Sequence, residues 1–376
     1  MLKLKYLFDN RDLSEMILKQ WPYDPESLDM FKHYRISSNA IYPFRCEGKV
    51  QLLRFAPYAE KNRTNMLAEL DLLDYLKNKG YPAMEVVISH AGDELVDVRT
   101  PWGHYVASVF RRVPGIQLNR TELDEDIVTQ YGRALAQLHR ASSEYEPLGY
   151  RHWTYADVLD WMQSIVEDTS GNYMKEQMKD QLKNKISDKN NKVSAETRGE
   201  LEQAAVMAEI RLLREYFAAV PTCERSYGLI HYDFEYDNVF YDEASSTCYA
   251  IDFDDAMYHW YVMDVEKALD SLTECIADRQ PEGDSASEEE RMRHTGQLHQ
   301  YFMNGYLAER ELVEPEEDLR AACTRFGNLY GYVRVLRAMD EEWEHEPDWM
   351  RQLRTDLTDD MKSVAQYFGQ PLKSGQ

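Results

Sequence analysis

With 376 residues, of which 43% are apolar and 12% aromatic, the chain is long enough for one large bilobal unit or two domains and too apolar for bulk disorder. Its 43 Lys and Arg against 67 Asp and Glu give a net charge of −24, which argues against a nucleic-acid partner, because phosphate backbones are held by basic surface. The five cysteines are scattered, no apolar stretch is long enough to cross a membrane, and Asp9 interrupts the N-terminus before a signal-peptide core forms, so a cytoplasmic protein with reduced thiols is expected.

Residues 1–29 read as a helical extension, with a helix from Arg11 to Trp21 stopped by Pro22 and Pro25. From Met30 to Ala56, apolar and polar residues alternate between polar turns at Ser37 to Asn39 and Glu47 to Lys49, the pattern of three antiparallel strands. Leu67, Leu70, Leu73 and Leu76 then mark a helix ended by Gly80 and Pro82. Two more strand-like runs follow, AMEVVISHA and HYVASVFRRV, and the Pro114-Gly115 turn marks a change from strand to helix.

Beyond that turn, Ile127, Tyr131, Leu135 and Leu138 form a helical stripe, and TYADVLDWMQSIVED and LEQAAVMAEIRLLREYFAAV give two further amphipathic segments. The polar stretch 168–200 between them reads as a solvated helix with a mobile loop. After an acid-rich hairpin around 229–256 come the helix YVMDVEKALDSL, an acidic loop at 278–290, three helix-like segments, and DEEWEHEPDW, read as solvated acidic surface. This order gives an α+β class: an antiparallel five-stranded sheet with one helix, then a mainly helical region carrying a single hairpin.

That hairpin, LIHYDFEYDNVFYDEASSTCYAIDFDDA, sets many carboxylates among apolar residues, and buried charges need partners. Asp233 and Asn238 stand five positions apart behind apolar Leu229 and Ile230, so one loop offers a carboxylate to a substrate hydroxyl and an amide oxygen to a metal. A return strand brings Asp252 back to their level. A hard cation such as Mg2+ prefers oxygen ligands and takes one or two side chains plus substrate phosphates, which Asn238 and Asp252 supply. Asp254 shares the face of Asp252 in an extended segment, as a second ligand or a support behind it.

HYDFEYDN followed by IDFDD resembles the catalytic and metal-binding segments of the aminoglycoside phosphotransferase and choline kinase-like family, relatives of the protein kinases. The resemblance implies a bilobal protein kinase-like fold, with residues 30–113 as the nucleotide-binding lobe and 114–376 as a helical catalytic and acceptor-binding lobe. It implies ATP and Mg2+ as cofactors, Asp233 as the catalytic carboxylate, and Asn238 and Asp252, with Asp254, as metal ligands. His231 then matches a scaffold position, and His139 is read as structural too.

Upstream, VQLLRFA places Arg54 where the family often has Lys, and Glu69 on the next helix is its expected partner. Phe110 and Arg111 in VFRRVPG resemble the hinge that reads the adenine edge through backbone groups, and Asp264 is expected to brace the catalytic loop. The chain departs from the family at Tyr232, often Gly, and in having no glycine-rich phosphate loop, so that Ser37, Ser38 and Asn39 have to serve, with Ser38 the candidate contact. A polar turn capped by Asx side chains is the plain alternative, but it leaves the ordered set Arg54, Glu69 and Pro-Gly unexplained.

The function implied is transfer of the ATP γ-phosphoryl group to a hydroxyl of a small molecule such as an amino alcohol, hydroxy amino acid or aminoglycoside. The rivals are a non-catalytic nucleotide-binding regulator, a protein Ser/Thr kinase-like enzyme, and a phosphohydrolase using IDFDD as its nucleophile pair.

Overall fold

The computed structural model describes residues 1–181, 195–278, 288–313, 317–340 and 346–372. Parts of three sequence readings lie outside them: the mobile loop within 168–200, most of the acidic loop at 278–290, and residues 341–345 of the acidic stretch DEEWEHEPDW. The chain divides into two compact units, one of Phe8–Thr154 with Thr222–Pro315, the other of Met1–Leu7, Tyr155–Pro221 and Glu316–Gln376. Residues 114–376, read above as one lobe, contribute to both.

The first unit begins with α1 (Arg11–Leu18), capped by the Asn10 side chain, which accepts from the Leu13 N–H. The helix stops short of Trp21, yet Trp21 is fully buried and its Nε1–H donates to the Val87 carbonyl at 2.9 Å. An antiparallel sheet follows: β1 (Arg35–Ile36), β2 (Ala40–Cys46), β3 (Lys49–Pro57), β4 (Val86–Val87), β5 (Val96–Thr100) and β6 (Gly103–Arg111). Their order is β1-β2-β3-β6-β4, with β5 also on β6, so the sheet has six strands where five are expected. The extra strand, β5, alternates, with exposed Asp97 and Arg99 on either side of buried Val98, but over so short a run with one buried side chain the signal is weak.

One face of the sheet carries α1 through Leu13, Ile17 and Leu18 against Phe44, Leu53 and Phe55. On its other side α2 (Arg63–Asn78), capped by Asn62, buries Met66, Leu70, Leu73 and Leu76; each such side chain contributes about 2 kcal/mol. Glu69 lies on that same buried face.

The strands β7 (Ile116–Gln117), β8 (Tyr227–Ile230), β9 (Val239–Asp242), β10 (Thr247–Ala250) and β11 (Met257–Trp260) make two smaller sheets, β10-β9-β7 and β11-β8. Around them, after α3 (Glu125–Ser143), stand α6 (Tyr261–Asp278) and α7 (Glu288–Glu309), with α4 (Tyr155–Gln181) and α5 (Ala195–Ala219) intervening in sequence. Two glycines let α3 and α7 meet at backbone distance: a Cβ at Gly132 would lie 1.9 Å from the Phe302 carbonyl oxygen, and one at Gly305 1.9 Å from that of Thr129.

In the other unit, α4 and α5 join α8 (Glu317–Ala338) and α9 (Asp348–Ala365). There the buried Glu209 accepts from Arg325 Nε at 2.7 Å and from the Gly369 N–H at 2.8 Å. No helix among the described residues is long and apolar enough to cross a membrane.

Candidate active site

Four strands present the acid-rich segments. The loop His231 to Asn238 joins β8 to β9, and the loop Ile251 to Ala256 joins β10 to β11. Val239 pairs with Ala250 across the β9–β10 hairpin, and the Ile251 N–H donates to the Asn238 carbonyl at 3.0 Å. On the outer side Ile230 pairs with Met257. The register therefore closes both loops into one place, with Asn238 beside Asp252.

The floor beneath is a buried polar network. Asp264, at the start of α6 and fully buried, accepts from the backbone N–H groups of His231 (2.8 Å) and Tyr232 (2.6 Å), as expected of a brace. The same carboxylate meets His139 Nε2 at 3.0 Å, and His139 Nδ1 meets the Tyr306 hydroxyl at 2.8 Å. With Nε2–H donating to Asp264, Nδ1 is left to accept from Tyr306. Burial works to raise the Asp264 carboxyl, but the hydrogen bond from His139, the nearby imidazoles and the His231 amide hold it below the usual carboxylate range. His231 spends both nitrogens on the backbone, Nε2 on the Ile251 carbonyl and Nδ1 on the Asp233 N–H, so its place is structural.

Two residues at the site hold left-handed backbone, Tyr232 at φ 69° and Asp252 at φ 64°, a conformation that costs a non-glycine residue about 1–3 kcal/mol. The Tyr232 value explains why glycine suits that position. Here the two bonds from Asp264 and the Lys267 ammonium, 4.6 Å above the Tyr232 ring, hold the loop in place. Lys267 Nζ also reaches Glu235 Oε1 at 2.8 Å.

The mouth is short of positive charge. Asn238 Nδ2 donates to Asp233 Oδ2 at 3.0 Å. Burial, with Glu235, Asp255 and Asp252 nearby, pushes the Asp233 carboxyl up to about 7, against the pull of Lys267. Asp252 has a side chain 42% exposed; the protein packed around it, and then Asp254, push its carboxyl upward, against the pull of Arg54. No cluster of three or more His, Cys, Asp or Glu side chains forms a ready metal cage among the described residues. An open cleft has Asn39, Arg54, Met84, Phe110, Asn238 and Asp252 among its lining residues.

Arg54 and Glu69 form a buried bidentate pair, NH1 to Oε1 at 2.8 Å and NH2 to Oε2 at 2.6 Å, with exposures of 3% and 1%. Burial would lower the Arg54 pKa, but the charge of Glu69 raises it. This is the pairing expected from the sequence; it spends two of the five guanidinium N–H groups, and the guanidinium also lies 4.5 Å over the Phe110 ring. Arg111 lines the cleft, but its N–H, expected at the adenine edge, donates instead to the Glu85 carbonyl at 2.8 Å. Ser37 and Asn39 line the cleft where Ser38 was expected. Asp254 Oδ2 is held by Lys61 Nζ at 2.5 Å and by Asn39 Nδ2 at 3.0 Å; that oxygen is a support for other side chains rather than an open ligand.

The described pattern of the Phosphotransferase enzyme family matches residues 37–312, the stretch that holds every one of these groups. The chain belongs to this family. An amicoumacin kinase of Bacillus subtilis (strain 168) is 24% identical to this family member over 339 residues, covering 88% of each chain. Among solved structures, an amicoumacin kinase in complex with AMP-PNP, Ca2+ and Ami aligns at TM-score 0.65 and 18% identity over 98% of this chain and 97% of that one. A microcompartment-associated aminopropanol kinase aligns at TM-score 0.60 and 18% identity, covering 97% and 100%. At those identities the structural likeness speaks for the fold. The α+β kinase-like fold and the resemblance read from HYDFEYDN and IDFDD hold, and the chain is a phosphotransferase enzyme of the small-molecule kinase kind.

Lys61 and Lys267 were not singled out from sequence. Lys267 carried a signal, since it lies three residues after Asp264 on one helix and so shares its face. Lys61 carried none, because it sits in the irregular stretch before the Asn62 cap.

Proposed function

We propose that the chain transfers the γ-phosphoryl group of ATP to a hydroxyl of a small molecule, with a divalent metal of the magnesium type. The observation that carries this is Asn238 and Asp252 together in the lining of one cleft, with Asn238 Nδ2 bonded to the Asp233 carboxylate, a set that gains its missing positive charge from a bound metal and its nucleotide; the raised Asp233 and Asp252 carboxyls agree with it. Two protein oxygens without a preformed cage suit an ion that keeps waters and phosphate oxygens in its shell. Held by Asn238 and Asp252, that ion would supply charge neutralisation at the β- and γ-phosphates.

Asp233 orients the acceptor hydroxyl and takes its proton as transfer proceeds, with Asn238 Nδ2 fixing its Oδ2. Arg54 adds fixed positive charge at the inner wall of the cleft. The base lies among Ile41, Leu52, Met84, Phe110 and Ile251, next to the Val113 backbone, since the Arg111 amide is already bonded to Glu85. Residues 30–113 act as the nucleotide-binding part and the helical remainder supplies the acceptor side. An amino alcohol is the favoured acceptor class: a solved neighbour is named for aminopropanol, and the net charge is −24.

The test is an ATP-consumption screen over hydroxylated amines, hydroxy amino acids and aminoglycosides, with Asp233→Asn as blank. ATP use that depends on at least one of these acceptors is expected. Cleavage of a generic phosphate ester without nucleotide, or no acceptor-dependent ATP use across the panel, contradicts the reading.

A further inference from the structure

A kinase-like cleft needs donors for the triphosphate, and this chain has no glycine in the turn between β1 and β2, while Arg54 gives one N–H from each terminal nitrogen to Glu69. Further donors stand near that turn. Asp254 Oδ2 gathers Asn39 Nδ2, from the turn before β2, and Lys61 Nζ, from the entrance to α2. Asn39 is 4% exposed and lines the cleft, and its Nδ2 carries a second N–H beyond the one given to Asp254. The Lys61 and Asp254 side chains are only 14% and 15% exposed.

We propose that Lys61 and Asn39 are the side-chain anchors of the nucleotide's polyphosphate, both positioned by Asp254, in the role that backbone amides of a glycine-rich loop would otherwise fill. An ammonium carries three donors; with one directed at Asp254, the others are left for phosphate oxygens. A compact ammonium on a flexible stem can follow the phosphate oxygens, whereas the guanidinium is fixed in one orientation by its two bonds to Glu69. Asp254 keeps Lys61 from wandering into solvent and sets it beside the Asn39 amide on one oxygen, so less order is lost when polyphosphate arrives. The inference rests on the reading of the cleft as an ATP site.

A tie that merely fastened the sheet to the hairpin would affect every nucleotide alike, whereas a polyphosphate anchor discriminates by the number of phosphates. Calorimetric titrations of ATP, ADP and AMP with Mg2+ into the full chain, its Lys61→Met and Lys61→Arg variants and, as a second site, Asn39→Ala separate the two. Lys61→Met is expected to weaken ATP by about tenfold or more, as loss of a charge-assisted bond does, and AMP by less than about twofold. Lys61→Arg recovers part of the ATP loss, and Asn39→Ala repeats the ATP-over-AMP order more weakly. Equal losses for all three nucleotides, or no loss for ATP in either Lys61→Met or Asn39→Ala, overturn the anchor and leave the ATP reading standing. A full chain that binds no ATP overturns both.

Discussion

Asp264 and Asp233 are carboxylates on the two sides of one loop, and their surroundings treat them in opposite ways. Under the loop, Asp264 receives two backbone N–H groups and an imidazole, and is held ionised although wholly buried. At the mouth, Asp233 has the Asn238 amide, Lys267 at one remove, and three other carboxylates nearby, and its carboxyl rises to about 7. The floor is complete within the chain, while the mouth is complete only with something brought to it. Buried charge of the first kind maintains a shape, and of the second kind prepares for a ligand.

The largest effect should come from the mouth. Asp233→Asn keeps the hydrogen-bonding shape and removes the proton acceptor, so kcat for whichever acceptor the screen finds should fall by about a thousandfold or more. ATP affinity should stay within a few-fold of the parent chain. Retained turnover would mean that the mouth is not where the chemistry occurs.

Next comes the floor. Asp264→Ala strands the His231 and Tyr232 amides and leaves Tyr232 in left-handed backbone without its brace, for a loss of about 3 kcal/mol or more. Urea unfolding followed by tryptophan fluorescence measures it. A loss below about 1 kcal/mol would show that the network is not what holds the loop.

The smallest effect has the opposite sign. Because the Asp233 carboxyl is raised, the folded chain binds its proton more readily than the unfolded chain does. The favourable contribution is whole below the unfolded value near 4 and disappears as pH rises towards about 7. Asp233→Asn should therefore gain stability on the parent as pH rises from 4 to 8, with little difference between them at pH 4. An equal gap at both pH values would show that the mouth carries no charge deficit.

Much of this was legible in the sequence because local spacing encodes it. HYDFEYDN and IDFDD lie on a short hairpin, so counting residues is enough to bring Asp233, Asn238 and Asp252 together, and Asp264 follows from its place at the head of the next helix. The order Arg54 then Glu69 was legible too, and so was their pairing. What stayed hidden depends on distant pairing. Lys61 and Asn39 meet Asp254 across 193 and 215 residues, and no local pattern marks such partners. β5 was missed for a different reason: its alternation of Val96 and Val98 with Asp97 and Arg99 is there, but it is short and buries only one side chain.

The central claim is that a metal-bound triphosphate completes the mouth, and titration calorimetry of ATP with Mg2+ and with EDTA, on the parent chain and on Asp252→Asn, tests it most directly. The parent should bind ATP at least about tenfold more tightly with Mg2+, and Asp252→Asn should lose that gain while keeping its affinity in EDTA. A parent chain indifferent to Mg2+, or an Asp252→Asn variant that keeps the full gain, would contradict the account.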